Sequence, residues 1–237
     1  MAEEFEGKDF SEASFWGVDL TSSTWRDVNF TGARMKSVWM VDVDIDGLLD
    51  RLVVNGVDVT AYVTEHDPWR KVRGLRPTDI VGLRTALDAL DAAWAEAIER
   101  ACALTEAQQH ESVCGEFSFV DTQRHLVFGV DKWFSGPLFG RNTFHAVGLP
   151  NTGSVDLGWL GLDLDARPTL DEVLAVRAEQ GAQLRAFLDD LSEDDFTRDV
   201  EVLENGTVPL IEGYYVVFEE SFEHFRYAMR DLALLEA

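Results

Sequence analysis

The chain has 237 residues, 46% of them hydrophobic, which is enough for one large domain or two modest ones with a real core. Its 44 acidic residues against 20 basic give a formal net charge of −24, a surface that repels phosphate backbones and argues against nucleic-acid binding. No stretch approaches the roughly 20 apolar residues of a membrane span, the acidic start Met-Ala-Glu-Glu-Phe-Glu is unlike a signal peptide, and Cys102 and Cys114 make no disulfide framework, so a cytoplasmic protein with reduced thiols and no membrane partner is expected.

Residues 5–47 carry an internal repeat with a period of five. Large apolar residues recur at Phe5, Phe10, Phe15, Leu20, Trp25, Phe30, Met35, Met40 and Ile45. Small or β-branched ones recur at Ala13, Val18, Ser23, Val28, Ala33, Val38 and Val43. That period fits neither a helix nor a strand; it fits a coil that turns a corner every five residues. The pattern resembles the pentapeptide-repeat family, and the resemblance implies a short right-handed quadrilateral β-helix over 1–47, of roughly two coils with ends that need cover. Residues 48–76 leave the rhythm and are expected to form a cap and linker, with a turn at Asn55-Gly56. His66, in that linker, carries no expected role.

Four helices are predicted in the remainder. The first opens at Pro77 or Thr78 and runs to about Leu104, with Leu83, Leu87, Leu90, Trp94, Ala97, Ile98 and Ala101 as its apolar stripe. The second spans Glu116 to about Phe134 and carries His125. Pro137, Gly140, Gly148, Pro150, Gly153, Gly158 and Gly161 then punctuate a long loop to Arg167, of a length that marks functional segments. The third helix starts at Pro168-Thr169 and carries Arg177, and 189–209 is an acidic connection with a turn at Asn205-Gly206. The last helix runs from Leu210 to the end of the sequence, and in it Glu220 and His224 sit four apart, on one face. A carboxylate and an imidazole so placed can grip one metal ion, with a third ligand from elsewhere. Alone, such a pair is usually solvated, and a lone histidine such as His125 is usually a core residue.

The run from Glu116 through Arg124-His125 to Asp131-Lys-Trp133 looks like the second helix of the DinB superfamily, and Glu219-Glu220-Ser-Phe-Glu-His224-Phe-Arg-Tyr-Ala-Met-Arg230-Asp231 looks like its last. The resemblance covers roughly 77–237 and implies an all-α, DinB-like four-helix bundle with a divalent metal, zinc or nickel, held by His125, Glu220 and His224. Glu220 stands where many members have a histidine; the set is similar to that of the mycothiol-dependent maleylpyruvate isomerase branch. Three protein ligands leave an open position for water or a thiol, the arrangement of a catalytic site. The implied function is a metal-dependent hydrolase or thiol-dependent transferase or isomerase acting on a small-molecule substrate, with a low-molecular-weight thiol as a further cofactor. No catalytic group is assigned beyond metal-bound water. His145 on the long loop, Glu116 and Arg177 are candidates to touch substrate or support the ligands. Glu219 and Glu223 face other directions on the helix. The alternative is a non-catalytic metal-binding or interaction protein, its repeats serving as a docking, homodimer or DNA-mimic surface.

Overall fold

The computed structural model describes residues 5, 7–25, 28–45, 49, 51–66, 76–113, 115–140, 144–151 and 158–236. The chain divides into two compact units, Met1–Leu49 and Asp50–Ala237. The expected linker at 67–75 and Cys114 lie outside the described residues; Cys102 is a free, exposed thiol.

In the first unit the five-residue rhythm becomes a turn every ten. Asp9, Asp19 and Asn29 each accept, through Oδ1, the backbone N–H two residues on, at 2.8–3.0 Å. The turns close with Ala13 N–H to Phe10 O, Ser23 to Leu20 and Ala33 to Phe30. Their third residues, Glu12, Ser22 and Gly32, have positive φ, as a type II turn requires. The expected β-helix is not realised: the described residues of this unit contain no strand and no solenoid. The nine large side chains remain 46–62% exposed. The reason is physical. A coil buries its interior by stacking on neighbours, and three or more repeats of the stack are needed before that burial offsets the ordering entropy.

The second unit is mostly helical. It begins with a hairpin, β1 (Val53–Val54) and β2 (Val57–Asp58), turned by Asn55 and Gly56 at φ 51° and 83°. Two consecutive positive φ angles make the mirror-image turn that Asn-Gly favours. Helix α1 (Thr60–His66) follows, where a linker was expected. The first long helix, α2 (Ile80–Cys102), starts later than expected because Asp79, not Pro77 or Thr78, is its cap, accepting Gly82 N–H at 2.6 Å. Short α3 (Glu106–Gln109) has a Thr105–Gln108 capping box. Helix α4 (Phe119–Val130) is capped by Ser118, so Glu116 lies ahead of it instead of on it. It continues through a π-helical turn, Asp131–Ser135, into α5 (Gly136–Phe139). Helix α6 (Leu170–Asp190) opens on a Thr169–Glu172 capping box. The expected irregular connection at 189–209 instead holds an antiparallel hairpin, β3 (Asp199–Val202) with β4 (Gly206–Pro209). Helix α7 (Leu210–Leu235) closes the unit. Among the described residues, no helix is long and apolar enough to cross a membrane.

Helix α7 packs on α2 and α4, and α6 packs on α4 and α2. Two apolar clusters fill the interior. One is centred on Tyr214, Phe218 and Phe134, the other on Trp94, Phe119 and Phe225. Polar side chains tie the helices together inside: Trp94 donates to Ser221 Oγ at 2.8 Å, and Tyr214 to Leu184 O at 2.9 Å. The π turn pushes the Trp133 carbonyl against α7 at Gly213, where a Cβ would come within 2.5 Å of that oxygen. Gly213→Ala, which in an open helix gains about 1 kcal/mol, is therefore expected to lose about 1–3 kcal/mol here through overpacking against backbone. Urea unfolding measures the sign.

Candidate metal centre

His125 sits on the second turn of α4, fully inside, with 3% of its surface exposed. Glu220 and His224 occupy successive turns of α7, half-buried, and the α4–α7 packing brings all three together. One ligand atom from each lies within 4.8 Å of the others. His125 Nε2 is 3.3 Å from Glu220 Oε2, and His224 Nε2 is 3.5 Å from the same oxygen. Donor atoms bound about 2.0–2.2 Å from one tetrahedral ion stand about 3.3–3.6 Å apart. A direct imidazolium–carboxylate hydrogen bond is shorter, about 2.7–2.9 Å.

The orientation of the His125 ring points the same way. His125 Nδ1 lies 2.9 Å from the carbonyl oxygen of Leu149. A carbonyl only accepts, so Nδ1 carries the proton. With Nδ1 so engaged, Nε2 is the ring nitrogen turned toward the Glu220 carboxylate oxygen, where a proton or a metal ion can sit between the two. Burial opposes the charge on Glu220, but hydrogen bonding to His125 and His224 and their fields outweigh it and hold the carboxyl well below the usual carboxylate range. The residues present thus fit a divalent ion: two imidazole nitrogens and one ionised oxygen. The ring of Phe117 lies over both imidazoles, 5.4 Å from His125 and 6.3 Å from His224. The flanking acids are engaged elsewhere, Glu219 with Arg76 at 2.8 Å and Glu223 with Arg226 at 2.7 Å.

A family model, DinB superfamily, matches residues 55–228. The chain belongs to the DinB superfamily. A second model, pentapeptide repeats, matches residues 9–47 in eight copies. Neither the curated proteins nor the solved structures contain a significant match. The comparisons give no support to a closer likeness to the maleylpyruvate isomerase branch.

Within this DinB unit the long loop is held to α4 by groups that no motif announces. Arg124, 3% exposed, donates from Nε to Val147 O at 2.9 Å and from Nη2 to Asp163 O at 3.0 Å, and pairs with Asp121 at 3.0 Å. Leu149 N–H bonds Arg124 O at 3.1 Å, which sets the Leu149 carbonyl over His125. His145 is not brought to the metal cluster. Its backbone N–H (2.8 Å) and Nδ1 (3.1 Å) meet Asp131 Oδ2, and Gln180 Nε2 donates to Asp131 Oδ1 at 2.8 Å. Burial raises the fully enclosed Asp131 carboxyl above its usual range against those donors. Glu116 also stays outside the cluster, close enough to Asp231 to raise that carboxyl further after burial. Arg177 lines a cavity of about 60 Å³ between the long helices, and Glu220 forms part of the same wall.

Proposed function

We propose that this DinB-superfamily chain is a divalent-metal-dependent enzyme of small-molecule chemistry, a hydrolase or a thiol-dependent transferase or isomerase of the cytoplasm. His125, Glu220 and His224 hold the ion. Residues 77–237 form the catalytic four-helix bundle of α2, α4, α6 and α7, residues 48–76 connect, and 1–47 are the repeat segment. The observation that carries the reading is the gathering of one ligand atom each from His125, Glu220 and His224 within 4.8 Å, with separations of 3.3 and 3.5 Å that match donors on one tetrahedral ion. Zinc suits two nitrogens and one carboxylate oxygen, and three protein ligands leave a position open. A divalent ion there supplies Lewis acidity that brings loss of a proton from water or a thiol into the neutral range.

The chain's own residues do the positioning. The Leu149 carbonyl fixes the tautomer and tilt of His125. The Trp94–Ser221 bond pins α7 to α2 beside Glu220. Phe117 keeps bulk water off the imidazole faces, and the cavity beside Glu220 gives a small substrate a path to the ligands.

The test is turnover by zinc-loaded protein purified without a histidine tag. Its probes are 4-nitrophenyl acetate, for hydrolysis, and glutathione with 1-chloro-2,4-dinitrobenzene, for thiol transfer. Turnover in either assay is expected, lost on chelation and in His224→Ala and restored by zinc in the wild type alone. One equivalent of bound zinc with no turnover in either assay would favour a metal-binding module without catalysis.

A further inference from the structure

The cavity beside Glu220 is lined by an arginine that meets no carboxylate among the described residues. In this acidic unit nearly every described arginine meets a carboxylate: Arg84 pairs with Asp189 at 2.5 Å, Arg185 with Asp88 at 2.7 Å and Asp91 at 2.5 Å, Arg100 with Glu236 at 2.8 Å. Among the described residues of the unit, only Arg167, on the loop before α6, and Arg177 have no such pair within 4.0 Å. Arg177, half-buried, is the one that lines the cavity between the long helices. Its Nη1 donates to Gln123 Oε1, and its guanidinium lies over the Trp94 ring at 5.0 Å. Asp91, the nearest acid acting on it, is already bonded to Arg185. Beside it Gln123, with no exposed surface, has an Nε2 that finds no acceptor among the described residues.

A charge half withdrawn from water without a carboxylate partner is unfavourable, and so is an unmatched buried amide N–H. Here the two lie side by side, one touching the other, and the guanidinium faces a cavity with room for a few heavy atoms. A carboxylate is the ligand that answers the guanidinium: its two oxygens match the guanidinium fork. The other polar groups on the cavity wall are arranged consistently. Asp91 is neutralised by Arg185, Gln180 is committed to Val127 O and Asp131, and Glu220 becomes part of the cationic metal cluster once an ion is held. We propose that this cavity binds a small organic carboxylate, its anionic end on Arg177, which Gln123 Oε1 holds from behind, and its remainder directed along the wall toward Glu220. The substrate of the enzyme is then an acid of a few carbons. That last step, and the neutralising of Glu220 on the wall, rest on the metal reading above; the contact with Arg177 does not.

The experiment is a ligand-observed NMR titration with succinate and, as the uncharged control, succinamide, on zinc-loaded and on chelator-stripped full-length protein. Succinate is expected to bind and succinamide not. Arg177→Met is expected to weaken succinate at least tenfold with zinc stoichiometry and melting temperature unchanged, and Arg177→Lys to recover part of the loss. Equal binding of succinate and succinamide, or of succinate to wild type and Arg177→Met, overturns the proposal. If the wild type takes up no zinc, the metal reading fails separately. Arg177-dependent succinate binding to the stripped protein then still supports the carboxylate site, and its absence overturns it.

Discussion

His224→Ala is expected to weaken zinc binding by several hundred- to a thousandfold and to leave the fold intact. Folded zinc sites bind with roughly 10–16 kcal/mol, so one ligand among three or four is worth about 3–4 kcal/mol, which is that factor in affinity. His224 is the cleanest of the three to remove. It lies on the half-buried face of α7, so alanine there opens no cavity in either apolar cluster. His125→Ala costs the same ligand and also the Nδ1–H bond to Leu149 that ties the loop to α4. Glu220→Gln keeps shape and removes charge; it separates the need for an anion from the need for an oxygen. Competition against a chromophoric chelator measures all three. Unchanged affinity in His224→Ala contradicts the assignment.

Asp131→Ala is expected to destabilise the chain by about 3–5 kcal/mol, since the His145 N–H and one Gln180 N–H lose their acceptor in a closed interior, each at about 1–3 kcal/mol. It is also expected to weaken zinc about 10–100-fold, the range for removing a group that orients a ligand. The chain of contact is short: Asp131 holds His145, four residues before Leu149, whose carbonyl orients His125. Asp131→Asn adds a pH signature. Burial raises the Asp131 carboxyl, so the folded chain keeps that proton at a pH where the unfolded chain has lost it. Wild-type stability therefore falls as pH rises from about 4 through the raised value, and the gap to Asp131→Asn narrows over that window. Urea midpoints on the metal-free proteins measure it; a gap that widens with pH contradicts the placement of Asp131.

What could be read from the sequence follows from what leaves a chemical trace in it. The four-residue spacing of Glu220 and His224 survives as a shared helix face, and Asn55-Gly56 as a two-residue turn, because residue type dictates each directly. The hairpin at 199–209 was hidden: Val200, Val202 and Val208 alternate as strand residues do, but among so many acids that the stretch read as a loop. The π turn after Val130 has no compositional mark, since a shifted hydrogen-bond register can be built from ordinary helix formers. The carbonyl of Leu149 had no mark at all, being a backbone atom whose role depends on where the loop lands. In the repeat segment the period specified turns, which formed, but not closure, which depends on how many coils stack. Arg177 was legible as a candidate substrate contact on the third helix; that it meets no carboxylate among the described residues is a property of the packing.

X-ray absorption at the zinc edge of the metal-loaded protein tests the central claim most directly. The expected first shell holds two imidazole nitrogens and a carboxylate oxygen at about 2.0–2.2 Å, with one imidazole lost in His125→Ala and again in His224→Ala. A shell of solvent oxygens alone, or one containing sulfur, or one unchanged in both variants, would contradict it.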